Sequence, residues 1–180
     1  MIYIIAALKS EAQGIVDKYK LKKDKLNSYT IFNNEKITLI ISGIGIINSN
    51  NATGQILKHF KKNEDDTYLN IGICGANTCY TIGELIEISS IKYMNKTVII
   101  NDNEKNLINC LDNEATNDTF DIVDMESFGF YQATKGVKNV RIFKVVSDNF
   151  RPELVTKQKT KTLIFNTIED IIDAVTKENT

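Results

Sequence analysis

Arginine is nearly missing from this 180-residue chain: Arg141 and Arg151 are the only two, and there is no tryptophan, one proline and one histidine. Each scarcity excludes something. Arginine grips phosphates and carboxylates through a planar bidentate fork, so a site built from several such clamps cannot be assembled here. The lone His59 sits at the basic end of a helical run and reads as a surface residue, which argues against a His-based metal site or triad. Three cysteines, Cys74, Cys79 and Cys110, form no CxxC pair and leave one over. That pattern fits reduced thiols in a cytoplasm, buried as small hydrophobes, better than a disulfide framework. No apolar run nears the roughly 20 residues of a membrane span. The first, Ile2–Leu8, stops at Lys9 with no basic stretch before it, so neither a signal peptide nor a membrane partner is expected.

Charge is balanced, 22 basic residues against 23 acidic, which removes the field that would draw in a nucleic acid. The lysine-rich stretches Lys20–Lys25 and Lys157–Lys161 read as solvated faces. With 42% apolar residues and no linker or repeat, residues 1–180 read as one domain with a real core. A small molecule is the expected partner.

Hydrophobic patterning alternates between strand and helix. Ile2–Leu8 reads as a buried strand, and Ser10, Glu11 and Ala12 open a helix. Ser28–Phe32 and Ile37–Ser42 form a hairpin through Asn33–Lys36. A helix follows from Ile46 to Phe60, stopped by Lys61 and Lys62, then a strand over Tyr68–Cys74. Leu85–Ile88 and Thr97–Ile100 are strand candidates, whereas residues 101–119 read as loop with one short helix at Leu107–Leu111. Phe120–Val123, a helix over Glu126–Lys135, a strand over Val140–Val146 and a final helix starting at Pro152 complete the pattern. Such alternation implies an α/β layered fold with ligands at the C-terminal ends of strands.

Those strand ends carry Ala7-Leu8-Lys9-Ser10-Glu11, Ser42-Gly43-Ile44-Gly45, Asn70-Ile71-Gly72-Ile73-Cys74-Gly75-Ala76, Val123-Asp124-Met125-Glu126 and Ser147-Asp148. Singly they are weak, since a Gly-x-Gly turn is usually only a turn and Glu11 or Glu126 could simply favour a helix start. Together and in this order they resemble the nucleoside phosphorylase and nucleosidase superfamily, and most closely the 5′-methylthioadenosine/S-adenosylhomocysteine nucleosidases. The resemblance implies a three-layer α/β sandwich with a mixed central sheet flanked by helices. It also implies that Glu11 activates water and that Asp148 protonates or hydrogen-bonds the leaving purine. Glu126 would accept the ribose hydroxyls and Met125 pack on the sugar, with Ala7, Ile44, Cys74, Gly75, Val123, Asp124, Lys144 and Ser147 completing the binding set. No metal or organic cofactor is implied, and a homodimer is.

Cleaving an N-glycosidic bond passes through an oxocarbenium-like sugar, which calls for an acid on the leaving base and a base for the incoming water. Burial beside an apolar wall is the usual way such an acid keeps its proton. The family's phosphorylases hold phosphate with arginines on early loops, where this chain offers Lys9 and Glu11. Water is therefore the expected nucleophile, with phosphorolysis and binding without turnover as the alternatives. The chain departs from the nucleosidases at Lys144, where they have arginine, and at Ile73, where they have a small polar residue. It is also short between Ile88 and Phe120, where they supply a further strand and a ring that stacks on the purine, leaving Phe120 as the candidate ring.

Overall fold

The computed structural model describes residues 1–61, 63–101 and 106–177. Strand β1 (Ile2–Ala6) shows how the sheet is covered: Tyr3 and Ile5 enter one core cluster, Ile4 and Ala6 the other. Successive side chains point to opposite faces, so a strand with apolar residues at every position must be packed on both sides. On one side lie α1 (Lys9–Tyr19) and α4 (Lys157–Lys177), contributing Ala12, Ile15, Ile164, Ile168, Ile171 and Val175. On the other lie α2 (Ile46–His59) and α3 (Ser127–Ala133), contributing Ala52, Ile56, Phe128 and Phe130. The result is a three-layer α/β sandwich.

The remaining strands are β2 (Lys22–Leu26), β3 (Tyr29–Asn33), β4 (Ile37–Ile41), β5 (Thr67–Ala76), β6 (Leu85–Glu87), β7 (Ser90–Tyr93), β8 (Lys96–Ile99), β9 (Leu107–Cys110), β10 (Ile122–Asp124) and β11 (Val140–Asp148). They form one sheet in the order β2-β3-β4-β1-β5-β10-β9-β7-β8, with β11 pairing β5 and β6. The sheet is mixed: β5 runs parallel to β1 and β11 but antiparallel to β10. The long β5 is its axis, bringing the C-terminal ends of β1 and β11 beside the start of α3.

Several elements differ from the sequence reading. Leu107–Cys110, expected as a short helix, is the strand β9, held in parallel ladders to β7 and β10. Pairing on both sides overrides its polar setting, and it is the strand that seemed missing after Ile88; residues 102–105 of the expected loop lie outside those described. Strand β7 was not anticipated, and neither was β2, which overlaps the lysine-rich stretch. As an edge strand with exposed lysines β2 has no apolar face to betray it. Pro152 begins a 3-10 turn (Pro152–Leu154), and the last helix starts only at Lys157. His59 is exposed, edge-on to Phe60. Among the described residues no helix is long and apolar enough to cross a membrane.

Helices α2 and α3 touch backbone to backbone. A Cβ added at Gly129 would lie 2.0 Å from the Ile46 carbonyl oxygen, and Asn50 Nδ2 donates to the Gly129 carbonyl at 3.2 Å. Only glycine admits that approach.

Candidate active site

Glu11 occupies the third position of α1, and its Oε2 accepts the Leu8 N–H at 2.7 Å, the return arm of a helix-start capping arrangement. Its other oxygen accepts the Ile73 N–H of β5 at 2.9 Å. The carboxylate therefore bridges the ends of two strands. Burial pushes its pKa up, opposed by the two backbone N–H groups and by Lys144. Gly72 makes room for it, since a Cβ there would fall 2.8 Å from Glu11 Oε1. Gly72→Ala is expected to displace the carboxylate and cut turnover about 10²-fold, the scale of a 1 Å misplacement. The melting temperature should move only a few degrees, because the group displaced is a side-chain tip; a thermal melt beside steady-state rates checks this.

Asp148 reaches the same region through an irregularity in β11. The ladder to β5 runs in register to Val146↔Cys74 and resumes at Asp148↔Gly75, so Ser147 is the extra residue of a bulge. In a regular strand neighbouring side chains point to opposite faces, whereas a bulge re-aims them. Ser147 and Asp148 thus both face one cavity. Asp148 Oδ1 accepts the Arg151 N–H at 2.8 Å, and Ser147 Oγ lies 2.7 Å from Asp148 Oδ2 and 3.0 Å from the Cys74 carbonyl oxygen. The Ser147 hydroxyl is thus within donating distance of both the Asp148 carboxylate and the Cys74 carbonyl.

Glu126 is the residue just before α3, and its Oε1 accepts the N–H of Gly45 at 2.8 Å, at the N-terminal end of α2, where the helix dipole favours an anion. Gly43 and Gly45 carry positive φ of 85° and 99°, which turns the chain there and leaves Ile44 51% exposed at the rim. Burial first, then Asp124, raises Glu126 to about 7 against the pull of Lys144 and the Gly45 N–H.

Beneath lies a buried ion pair. Lys144 Nζ is 2.7 Å from Asp124 Oδ2, the two side chains being 1% and 0% exposed. Asp124 also accepts the Ser127 N–H at 2.9 Å and the Ser127 hydroxyl at 2.6 Å. Burial opposes the ammonium charge, yet Asp124 and Glu126 outweigh it and Lys144 is held protonated. Its ion-pair partner, Asp124, forms the floor of the site.

Glu11, Asp148, Glu126 and Asp124 line a cavity of about 280 Å³, just below the ~300–1,000 Å³ usual for ligand sites. Every residue expected at the site is on its wall except Lys144: Glu11, Asp148, Ala7, Ile44, Cys74, Gly75, Val123, Asp124, Met125, Glu126 and Ser147. Leu8, Ile73, Leu111, Asn113, Glu114, Ala115, Pro152 and Val155 complete it. The segment from Leu111 to Ala115 escaped sequence reasoning because its partner strand β9 did; the Leu111 N–H to Asp124 carbonyl bond of 2.8 Å ties it to the site. Phe120 does not stack here: it lines a separate cavity with Tyr93 and Met94, and no aromatic ring is on the candidate wall among the described residues. Burial raises the Cys74 thiol, so it presents S–H rather than a thiolate. Among the described residues no group of three or more His, Cys, Asp or Glu is placed to hold a metal ion.

No protein-family model matches the chain, and no curated protein does. Solved structures do. A mutant Helicobacter pylori 5′-methylthioadenosine/S-adenosylhomocysteine nucleosidase with 5′-methylthioadenosine in its active site superposes at TM-score 0.81 and 13% identity, over 96% of this chain and 98% of that one. The chain has the nucleosidase fold. The Neisseria meningitidis enzyme of that name, in complex with methylthio-immucillin-A, gives 0.77 at 13% identity over 96% and 98% of the two chains. Futalosine hydrolase of Helicobacter pylori gives 0.75 at 14% over 96% and 97%.

Proposed function

We propose that the chain hydrolyses the N-glycosidic bond of a purine nucleoside or thionucleoside and releases the free base. The observation that carries this reading is the delivery of Glu11 from the first turn of α1 and Asp148 from the end of β11 to one small cavity, with Glu126 beside them. Glu11, anchored by two backbone N–H groups and raised by burial, is suited to take a proton from water. Asp148, oriented by Ser147 and the Arg151 N–H, gives a proton or hydrogen bond to the departing base. Glu126 accepts the ribose hydroxyls, with Met125 against the sugar. Lys144 acts from below by holding Asp124 at the junction of β10 and α3.

Water is favoured over phosphate because the wall presents carboxylates and, among the described residues, no cation. Base release from a panel of purine nucleosides, with and without phosphate, tests the proposal. Release without phosphate is expected, and strict phosphate dependence would overturn hydrolysis. The same reading includes a cytoplasmic setting, supported by free cysteines, and a homodimer, supported by the exposed Ile44 at the cavity rim and the exposed Ile47 in the first turn of α2. Light scattering that shows a monomer counts against the dimer.

A pH dependence follows from Glu126. Ionised, its carboxylate accepts with both oxygens, whereas protonation turns one of them into a donor and weakens the grip on the sugar hydroxyls, so KM should rise as pH falls through about 7. Stability should move the other way. Between the ordinary value of 4.5 and about 7 the folded chain keeps a proton that the unfolded chain has released. Stability therefore falls as pH rises through that window, by on the order of 3 kcal/mol. Glu126→Gln should raise the melting temperature of the ligand-free chain at pH 8 while weakening substrate binding; denaturation at two pH values beside KM measurements checks both.

A further inference from the structure

Among the described residues, four other than glycine hold a positive φ: Lys20, Asn27, Met94 and Phe150. Three have a local reason. Lys20 closes α1, and Asn27 and Met94 open the two-residue turns between β2 and β3 and between β7 and β8. Phe150, at φ 56°, has none of these: it lies in the link that follows β11 and Asp148, where a bulky side chain in the left-handed region is a genuine outlier. Strain of this kind gathers at working sites. The turn alone would be met by glycine, so the ring is what the position retains, and it is 7% exposed yet belongs to neither core cluster. Instead its Cδ1 converges with Asp148 Oδ1 and Val123 Cγ2 on the point where a Cβ at Gly75 would sit, at 3.7, 3.8 and 3.2 Å. Phe150 is absent from the wall of the candidate cavity, so it meets the Asp148 carboxyl from behind.

The same link brings the Arg151 N–H to Asp148 Oδ1 at 2.8 Å, and the Asn149 amide ties it to the carbonyls of Ala76 and Asn77, each at 3.0 Å. Restraint is needed there, because Ser147 and Asp148 also border a second cavity of about 480 Å³, shared with Ile82, Arg151 and Leu154. An unrestrained carboxyl has room to turn away. We infer that, on the nucleosidase reading above, Phe150 is a positioning residue that holds the Asp148 carboxyl toward the departing base, its ring serving as a backstop and its left-handed backbone aiming the Arg151 N–H. Neither part touches the ligand. Without the ring, substrate binds as before while Asp148 divides its time between the two cavities, so the loss falls on kcat rather than on KM.

Steady-state base release by Phe150→Gly, Phe150→Ala, Phe150→Leu and the parent tests this, with each change repeated in an Asp148→Asn background. Glycine keeps the turn and removes the ring, alanine removes the ring and keeps a Cβ, and in each folded variant kcat should fall about 10²-fold with KM unchanged, the scale of a 1 Å misplacement. Leucine retains most of the apolar volume and should recover most of that loss. In the Asp148→Asn background the glycine and alanine changes should cost nothing further, because the group they position is already gone. A purely structural role would lower the melting temperature and leave kcat of the folded variants near the parent's, or lower kcat equally in both backgrounds. Either result overturns the inference and leaves the nucleosidase reading standing. Should no nucleoside be cleaved, that reading fails instead, and crystal structures of the parent and Phe150→Gly decide the positioning. An Asp148 carboxyl turned away from the Arg151 N–H in the variant then supports it, and an unmoved one overturns it.

Discussion

Glu11→Gln and Asp148→Asn should each lower kcat for base release by about 10³-fold, within the 10²–10⁴ range that a positioned acid or base contributes. Both variants keep the fold, for a reason visible in the hydrogen bonds. At position 148 an asparagine still accepts the Arg151 N–H through its carbonyl oxygen, and its amide donates to Ser147 Oγ, whose own proton turns to the Cys74 carbonyl. The network survives and only the transferable proton is gone. At position 11 a glutamine accepts one of the two backbone N–H groups and meets the other with its amide. That mismatch costs on the order of 1–3 kcal/mol, offset by removal of a charge that burial disfavours. Melting temperatures within a few degrees of the parent, together with lost turnover, are the expected result. Retained turnover in either variant would remove that residue from the mechanism.

Gly129→Ala should be the most damaging substitution for the fold. The new Cβ would sit 2.0 Å from the Ile46 carbonyl oxygen and 2.8 Å from its carbonyl carbon, both backbone atoms of the first turn of α2. No rotamer relieves such a contact, so the two helices must separate. A cost of about 3–5 kcal/mol is expected, at the upper end of overpacking effects. For a chain of this size that lowers the melting temperature by roughly 10–15 °C. The damage reaches the site as well. Gly45, just before α2, donates to Glu126, just before α3, so parting the helices lengthens that 2.8 Å bond. A rise in KM for the nucleoside should accompany the drop in stability, and a variant that melts normally would disprove the tight contact.

The site was more legible in the sequence than the sheet that carries it. Glu11, Glu126 and Asp148 stand in short strings whose order along the chain is itself informative, and apolar runs such as Ile2–Leu8 announce strands covered on both faces. Strand β9 was hidden because its stability comes from ladders to β7 and β10, which local composition does not encode. Edge strand β2 was hidden by its lysines. Lys144 was placed on the wall by analogy with an arginine. Its place under the floor follows from the register of β11, where Ile142 and Val146 on the same face belong to the core shared with α2 and α3. Nothing in the one-dimensional pattern shows that β11 carries one residue more than its ladder needs, and the aim of Asp148 depends on that residue.

That extra residue has a consequence for how the chain can change. A genetic deletion of Ser147 alone would let β11 continue in step with β5, healing the ladder and improving the sheet. It would also rotate the aspartate away from its cavity. Lineages carrying such a deletion would keep a sound scaffold with an empty chemistry, whereas a one-codon insertion at the same point in an inert relative would be a short route to a working one.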